Sequence, residues 1–255
     1  MLIKADRQDD ILTLTLNDPA RRNAMGNAMR EELTAALTAA AGDPQVRVVL
    51  LRGAQGSFCA GGDLTAMPPE DPATAARRLR DVGDMIRLLA GFPVPTIAVV
   101  EGAAAGMGAG LALACDYVLM AADARLLFPF TRLGLIPDGG LLATLAQRAG
   151  ASRARQILLE ADVLDADACL AAGLADAVHP AADLPAAALA QAEILAGQAP
   201  LAVAALKAVL ASGTPTLEAA LEAEAEHQPK LFFTADFAEG KAAFRERRSP
   251  GFTGR

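Results

Sequence analysis

The spacing of apolar and polar positions divides this 255-residue chain into strand-sized and helix-sized stretches. Residues 11–16, ILTLTL, alternate at every second position, which predicts a strand with threonines on one face. Three short stretches dominated by apolar residues follow at 47–53 (RVVLLRG), 97–100 (IAVV) and 117–120 (YVLM). Each is too short for a helix, and 97–100 is rich in β-branched residues, so each is predicted to be a buried strand. Helical spacing is predicted from Asn23, taken as the cap, to about residue 41. It returns over 73–90, where Phe92-Pro93-Val94-Pro95 stops it, and over 107–115 and 141–150. Residues 64–72 carry three prolines and are expected to be loop. From 152 onward the pattern is almost wholly helical, at 155–159, 166–171, 184–196, 201–211, 217–227 and 235–247, with one short strand at 177–179. The expectation is an α/β fold, strand-rich over residues 1–180. Residues 181–255 should form a helical part that packs on that core or on a neighbour rather than a separate domain, because no Gly-, Ser- or Pro-rich linker intervenes.

Composition narrows the function classes. Apolar residues make up 53% and charged residues 21%, which excludes disorder, and the formal charge of −7 argues against nucleic acid as partner. The first ten residues turn polar too soon for a signal peptide, and the longest apolar window holds Glu101 and four glycines, a poor membrane span. A cytoplasmic protein is expected. Cys59, Cys115 and Cys169 lack C-x-x-C spacing and read as buried thiols. His179 and His227 are the only histidines and neither has a ligand pair beside it, so no metal site is expected.

Chemistry concentrates in two glycine-rich turns, each placed after a strand. The first is FCAGGDL (58–64), and the second is GAAAGMGAG (102–110), running into the helix at 107–115. Glycine lets backbone approach a ligand closely, and a turn that opens a helix leaves amides without partners. Two such turns can offer one N–H each to a single oxygen. This pair resembles the enoyl-CoA hydratase/isomerase (crotonase) superfamily, and the likeness runs from ILTLTLNDPARRNAM to the FAEGKAAFRERRSPGF tail. The resemblance implies a spiral of strand–strand–helix units and assembly as homotrimers or pairs of trimers. It implies an acyl-CoA thioester as the bound molecule and no cofactor beyond the coenzyme A of the substrate. It places the oxyanion donors at the backbone N–H of Gly62 and Met107. It places the CoA-binding edge at Arg22, Ala24, Ala60, Gly61, Gly62, Asp63 and Leu64, with Gly106 and Phe130 beside the acyl group. Arg22 is the candidate phosphate contact.

The reaction is less plainly marked. Hydratases of the family carry two glutamates, and alignment on Cys115-Asp116 puts these at Gly110 and Phe130, neither of which can move a proton. The segment PFTRLGLIPDGG (129–140) instead resembles the Δ3,Δ2-enoyl-CoA isomerase branch, which uses a single carboxylate, here Asp138. Asp before Gly-Gly-Leu-Leu is also a sound helix cap, so base and cap both stand at this position. Of the other acids, Asp63 is expected to hydrogen-bond its loop, Asp116 to end a helix and Glu101 to close a strand. The favoured reading is a double-bond shift in an enoyl-CoA. The alternatives are a hydratase with atypical acid–base residues and an inactive CoA-ester binder.

Overall fold

The computed structural model describes every residue except Ser212 and Thr214. A six-stranded sheet runs in the order β1 (Ile3–Gln8), β2 (Ile11–Leu16), β3 (Val48–Gly53), β4 (Thr96–Val100), β6 (Tyr117–Ala121) and β9 (Ala177–His179). β1 and β2 pair antiparallel, and every later pairing is parallel. A parallel sheet is covered on both faces, so its strands read as continuous apolar runs. All five residues of β4 are buried, as is all of β3 except Arg52. β1, IKADRQ, escaped the sequence reading because it lies at the sheet edge with all but Ile3 exposed, and so has no apolar pattern.

A second sheet holds β5 (Ala103–Ala105), β7 (Arg125–Leu127) and β8 (Val163–Asp165), and Cys59 joins it by a bridge to Ala104. Three strands of the large sheet, β3, β4 and β6, pass the chain to the small one before a helix forms. β3 leads to Cys59 and then α2 (Pro72–Ala90), and β4 leads to β5 and α3 (Met107–Leu113). β6 leads to β7, α4 (Leu141–Ala149) and α5 (Ala151–Glu160). The unit advances one place in both sheets at each turn, so the chain winds as the spiral of strand–strand–helix units that the resemblance implies.

Local chemistry sets most helix ends. Asp71 caps α2 by accepting from the N–H groups of Ala73 (2.8 Å) and Thr74 (3.0 Å), and Pro72 takes the first position, where no N–H is needed. The expected cap at Asn23 is incorrect. α1 (Asn27–Ala41) begins after Gly26, and Asn23 is fully buried in a left-handed conformation with φ 57°. Its side chain donates to the carbonyls of Ala54 (3.1 Å) and Ser57 (2.6 Å) and accepts from the Asp18 N–H (2.9 Å). Asn23 therefore ties the 18–25 loop to the turn after β3.

Beyond α6 (Ala166–Ala171) and β9 come α7 (Leu184–Ala196), α8 (Pro200–Leu210), α9 (Leu217–Leu231) and α10 (Ala235–Glu246). α7 buries Leu184, Ala188, Ala192 and Ala196, a stripe at four-residue spacing, and packs on β3 and β4. Arg47 donates to the carbonyls of Ala196 (3.0 Å) and Gln198 (2.7 Å), and Lys207 of α8 pairs with Asp116. Asp116 also accepts from the N–H of Thr96 (2.7 Å), so it locks β4 to the end of α3 rather than only ending that helix. No single helix among the described residues is long and apolar enough to cross a membrane. The three cysteines are buried, and burial pushes Cys59 up to about 11 and Cys115 and Cys169 to about 12.

Candidate active site

The two glycine-rich turns lie against each other. Cys59 donates to the Ala103 carbonyl (3.0 Å) and accepts from the Ala105 N–H (2.9 Å), which extends the small sheet into the first turn. Two glycines are required for this approach. A Cβ on Gly61, whose φ is +98°, would stand 2.8 Å from the Ala105 carbonyl oxygen, and one on Gly108 would stand 2.4 Å from that of Cys59. Met25 then pairs with the first turn, donating to the Gly61 carbonyl (2.7 Å) and accepting from the Asp63 N–H (3.4 Å). Those bonds involve the neighbours of Gly62 and leave its own N–H free. Gly106 (φ 50°, ψ −116°) turns the chain into α3, so Met107 is the first helical residue and its N–H has no carbonyl one turn back. Among the described residues, neither the Gly62 nor the Met107 N–H donates to a protein acceptor. Both residues line one cavity of about 450 Å³.

Asp138 lines the same cavity. It arrives there because Gly139 and Gly140, both at positive φ, fold the chain sharply before α4. Gly110 seats that fold: a Cβ on it would stand 2.7 Å from the Gly139 carbonyl oxygen and 3.0 Å from its Cα. The position where a hydratase of this pattern would carry its first glutamate is thus filled by the backbone beside Asp138. The capping alternative for Asp138 does not hold. Gly140 is the residue before α4 and no side chain caps it, whereas the buried Oδ1 of Asp138 has no hydrogen-bond partner among the described residues. Burial pushes the Asp138 carboxyl above the ordinary aspartate range, and the Arg78 guanidinium pulls weakly the other way. A half-buried carboxylate with one buried, unsatisfied oxygen, facing a cavity that two free amides also face, is equipped to exchange a proton with a bound carbonyl compound.

The sequence matches the enoyl-CoA hydratase/isomerase family over residues 6–255. The chain belongs to this family. A probable enoyl-CoA hydratase of Rhodobacter capsulatus is 37% identical, covering 99% of this chain and 98% of that protein. A 1,2-epoxyphenylacetyl-CoA isomerase of Escherichia coli is 36% identical over 96% and 95%. Among solved structures, an enoyl-CoA hydratase of Bacillus anthracis superposes with a TM-score of 0.96 at 29% identity, covering 100% of both chains.

In this member of the enoyl-CoA hydratase/isomerase family, the expected site residues separate into cavity and edge. Gly62, Met107 and Asp138 are on the cavity wall. Arg22, Ala24, Ala60, Gly61, Asp63 and Leu64 are not. They form a connected edge, in which the Ala60 N–H donates to the Arg22 carbonyl (3.0 Å) and the Asp63 carboxylate holds Thr65 (Oγ1 2.6 Å) and Arg21 (3.2 Å). Arg21 is thus engaged, whereas Arg22 is exposed and makes no ion pair among the described residues. Phe130, expected beside the acyl group, is buried and is not among the residues that line the cavity; its ring lies 3.5 Å from where a Gly106 Cβ would be, so it packs against the second turn. Glu101 sits past the end of β4 and pairs with Arg52 (3.0 Å), as a structural acid should.

Sequence reasoning missed most of the opposite wall: Met67 and Pro69 of the loop, and Arg78, Leu79 and Val82 of α2, together with Arg30 of α1. The available signal was the helical spacing Ala75, Leu79, Val82, which marks the α2 face that meets the cavity. A larger cavity of about 570 Å³ lies under α8, but its charged groups, Asp116, Lys207 and Arg148, are already satisfied by one another or by backbone carbonyls.

Proposed function

We propose that this enzyme shifts a double bond in an enoyl-CoA, with Asp138 carrying the proton and the Gly62 and Met107 amides holding the thioester oxygen. The observation that supports the reading is the unpartnered, buried Oδ1 of Asp138 in the cavity that both free amides line. Ionised Asp138 removes a proton from C2 of a 3-enoyl-CoA, and the electron pair passes to the thioester oxygen. The two amides stabilise that oxyanion more than the neutral carbonyl, by roughly 3–4 kcal/mol per donor. Protonated Asp138 then returns its proton at C4, giving the 2-enoyl-CoA with no net gain or loss of atoms. One carboxylate suffices because the dienolate persists between the two transfers. No cofactor is needed beyond the CoA of the substrate.

The edge at Arg22, Ala24, Ala60, Gly61, Asp63 and Leu64 is read as the CoA-binding side, with Arg22 free to meet a phosphate. Residues 181–255 are read as the assembly region of a homotrimer or a pair of trimers, a reading supported by Leu206, Leu217, Leu221 and Phe233, which are exposed in a single chain. Hydration is the second reading, favoured by the name of the R. capsulatus relative. In it Asp138 alone would position water. The deciding experiment supplies 3-enoyl-CoA and 2-enoyl-CoA to protein free of host activities. Conversion of 3- to 2-enoyl-CoA with slow formation of 3-hydroxyacyl-CoA is expected, and rapid hydration without isomerisation would reverse the assignment.

A further inference from the structure

We propose that the acyl pocket is shaped for a CoA thioester whose acyl chain ends in a carboxylate, with Arg78 as the group that receives that end. The inference rests on reading the Asp138 cavity as the acyl pocket. The face that α2 turns to the cavity comprises Ala75, Arg78, Leu79, Val82 and Gly83, and the same side continues into buried Met85, Ile86 and Leu89. Spacing of three and four residues makes this the apolar stripe of the helix, and Arg78 interrupts it. The rest of the wall is largely apolar, with Met25, Met67, Pro69, Leu135, Ile136 and Pro137.

Arg78 has little to hold it there for structural reasons. Its one hydrogen bond among the described residues goes to the Ala66 carbonyl at 3.3 Å, and it makes no ion pair. A guanidinium carries five N–H donors in a planar fork suited to a carboxylate, so most of that capacity is unused. α1 adds a second cation to the same wall. Arg30 is 5% exposed and donates to Asn27 Oδ1 (3.0 Å), and its only acidic partner, Asp81, lies 3.6 Å away with half its side chain in solvent.

The charged groups facing the pocket are therefore Arg30 and Arg78, with Asp138 as the single acid. A methyl-ended chain would cover Arg78 with hydrocarbon and remove its water without supplying a partner, which is costly for a cation. A carboxylate-ended chain would replace that water with charge-assisted hydrogen bonds. The same cationic wall offsets the repulsion between a substrate carboxylate and Asp138.

The test compares length-matched thioesters that share the CoA moiety and differ only at the chain end. Kd for hexanoyl-CoA and adipyl-CoA and kcat/KM for the corresponding 3-enoyl-CoA pair are measured on wild type, Arg78→Met and Arg78→Gln. Wild type is expected to favour the carboxylate-ended member at least tenfold, by a margin that shrinks as salt is raised. Either variant should bring the ratio to near one. A wild-type preference for the methyl-ended member would overturn the proposal. So would equal losses on both members in the variants, which would make Arg78 a CoA contact. The binding ratio stands apart from the chemistry. Preferential binding without turnover refutes the double-bond reading alone, and turnover without preference refutes this inference alone.

Discussion

Gly110 illustrates how one missing side chain fixes another. Its hydrogen lies against Gly139, so the turn that carries Asp138 can descend onto α3. Gly110→Ala would drive a methyl group into backbone 2.7 Å away, and backbone cannot rotate aside. A destabilisation of about 1–3 kcal/mol is expected, together with a fall in isomerase activity beyond what the lost stability explains, because Asp138 is displaced. Wild-type melting temperature and rate in that variant would mean the turn is seated by other contacts. At this scale the two glycine-rich turns were legible in the sequence. The family resemblance placed the amide donors at Gly62 and Met107, and both line the cavity. It was ambiguous at Asp138, because Pro-Asp-Gly-Gly suits a cap as well as a base. Only the burial of Oδ1 and the absence of a cap bond separate the two. Arg30 and Arg78 were hidden because they sit in charge-rich helical sequence, where arginines read as solvated.

At the scale of elements, the loops at 18–25 and 54–64 form one structure through Asn23. Asn23→Ala removes three hydrogen bonds and leaves the part-buried carbonyls of Ala54 and Ser57 with less than their share. At about 1 kcal/mol per bond the loss should be roughly 3 kcal/mol, read from denaturant midpoints. Asn23→Asp keeps the acceptor for Asp18 but loses both donors, so it should not rescue. Rescue would show that the acceptor alone matters. The helix cap assigned to Asn23 failed for a physical reason. Asn before a helical run serves equally in turns and at positive φ, and the chain had three more residues before α1. Strand reading succeeded for β3, β4 and β6, whose apolar runs reflect burial on both faces. It failed for β5, β7 and β8. Three-residue strands such as Ala-Ala-Ala hold too few positions for any periodicity, and their partners are distant in sequence.

At the scale of the whole molecule, the edge and the cavity should act as one binding site for an acyl-CoA. Saturating acyl-CoA at about 100 Kd should raise stability by roughly 2.7 kcal/mol, whereas free fatty acid should leave the melting temperature unchanged. Arg22→Ala should weaken CoA binding more at low salt than at high salt, since an exposed cation acts on phosphate through a screened field. An equal loss at both would remove Arg22 from the phosphate site.

Whether Asp138 carries the proton is decided by Asp138→Asn, with isomerase rate and melting temperature measured together across pH. The change retains size and removes only the base. The rate on 3-enoyl-CoA should fall by about 10²-fold or more, with acyl-CoA affinity nearly intact. Wild-type rate should decline on the acid side at a pH above the usual aspartate value of about 3.9, because burial raises the Asp138 pKa and only the ionised form accepts the proton. Stability carries the same signature. With a folded pKa above the unfolded one, the contribution of Asp138 to stability is fully present below the unfolded value and is lost as pH rises through the folded value. The Asn variant does not titrate, so its melting temperature should gain on wild type as pH rises through that window. A variant that isomerises at the wild-type rate, with no relative gain in melting temperature as pH rises, would contradict Asp138 as the proton carrier.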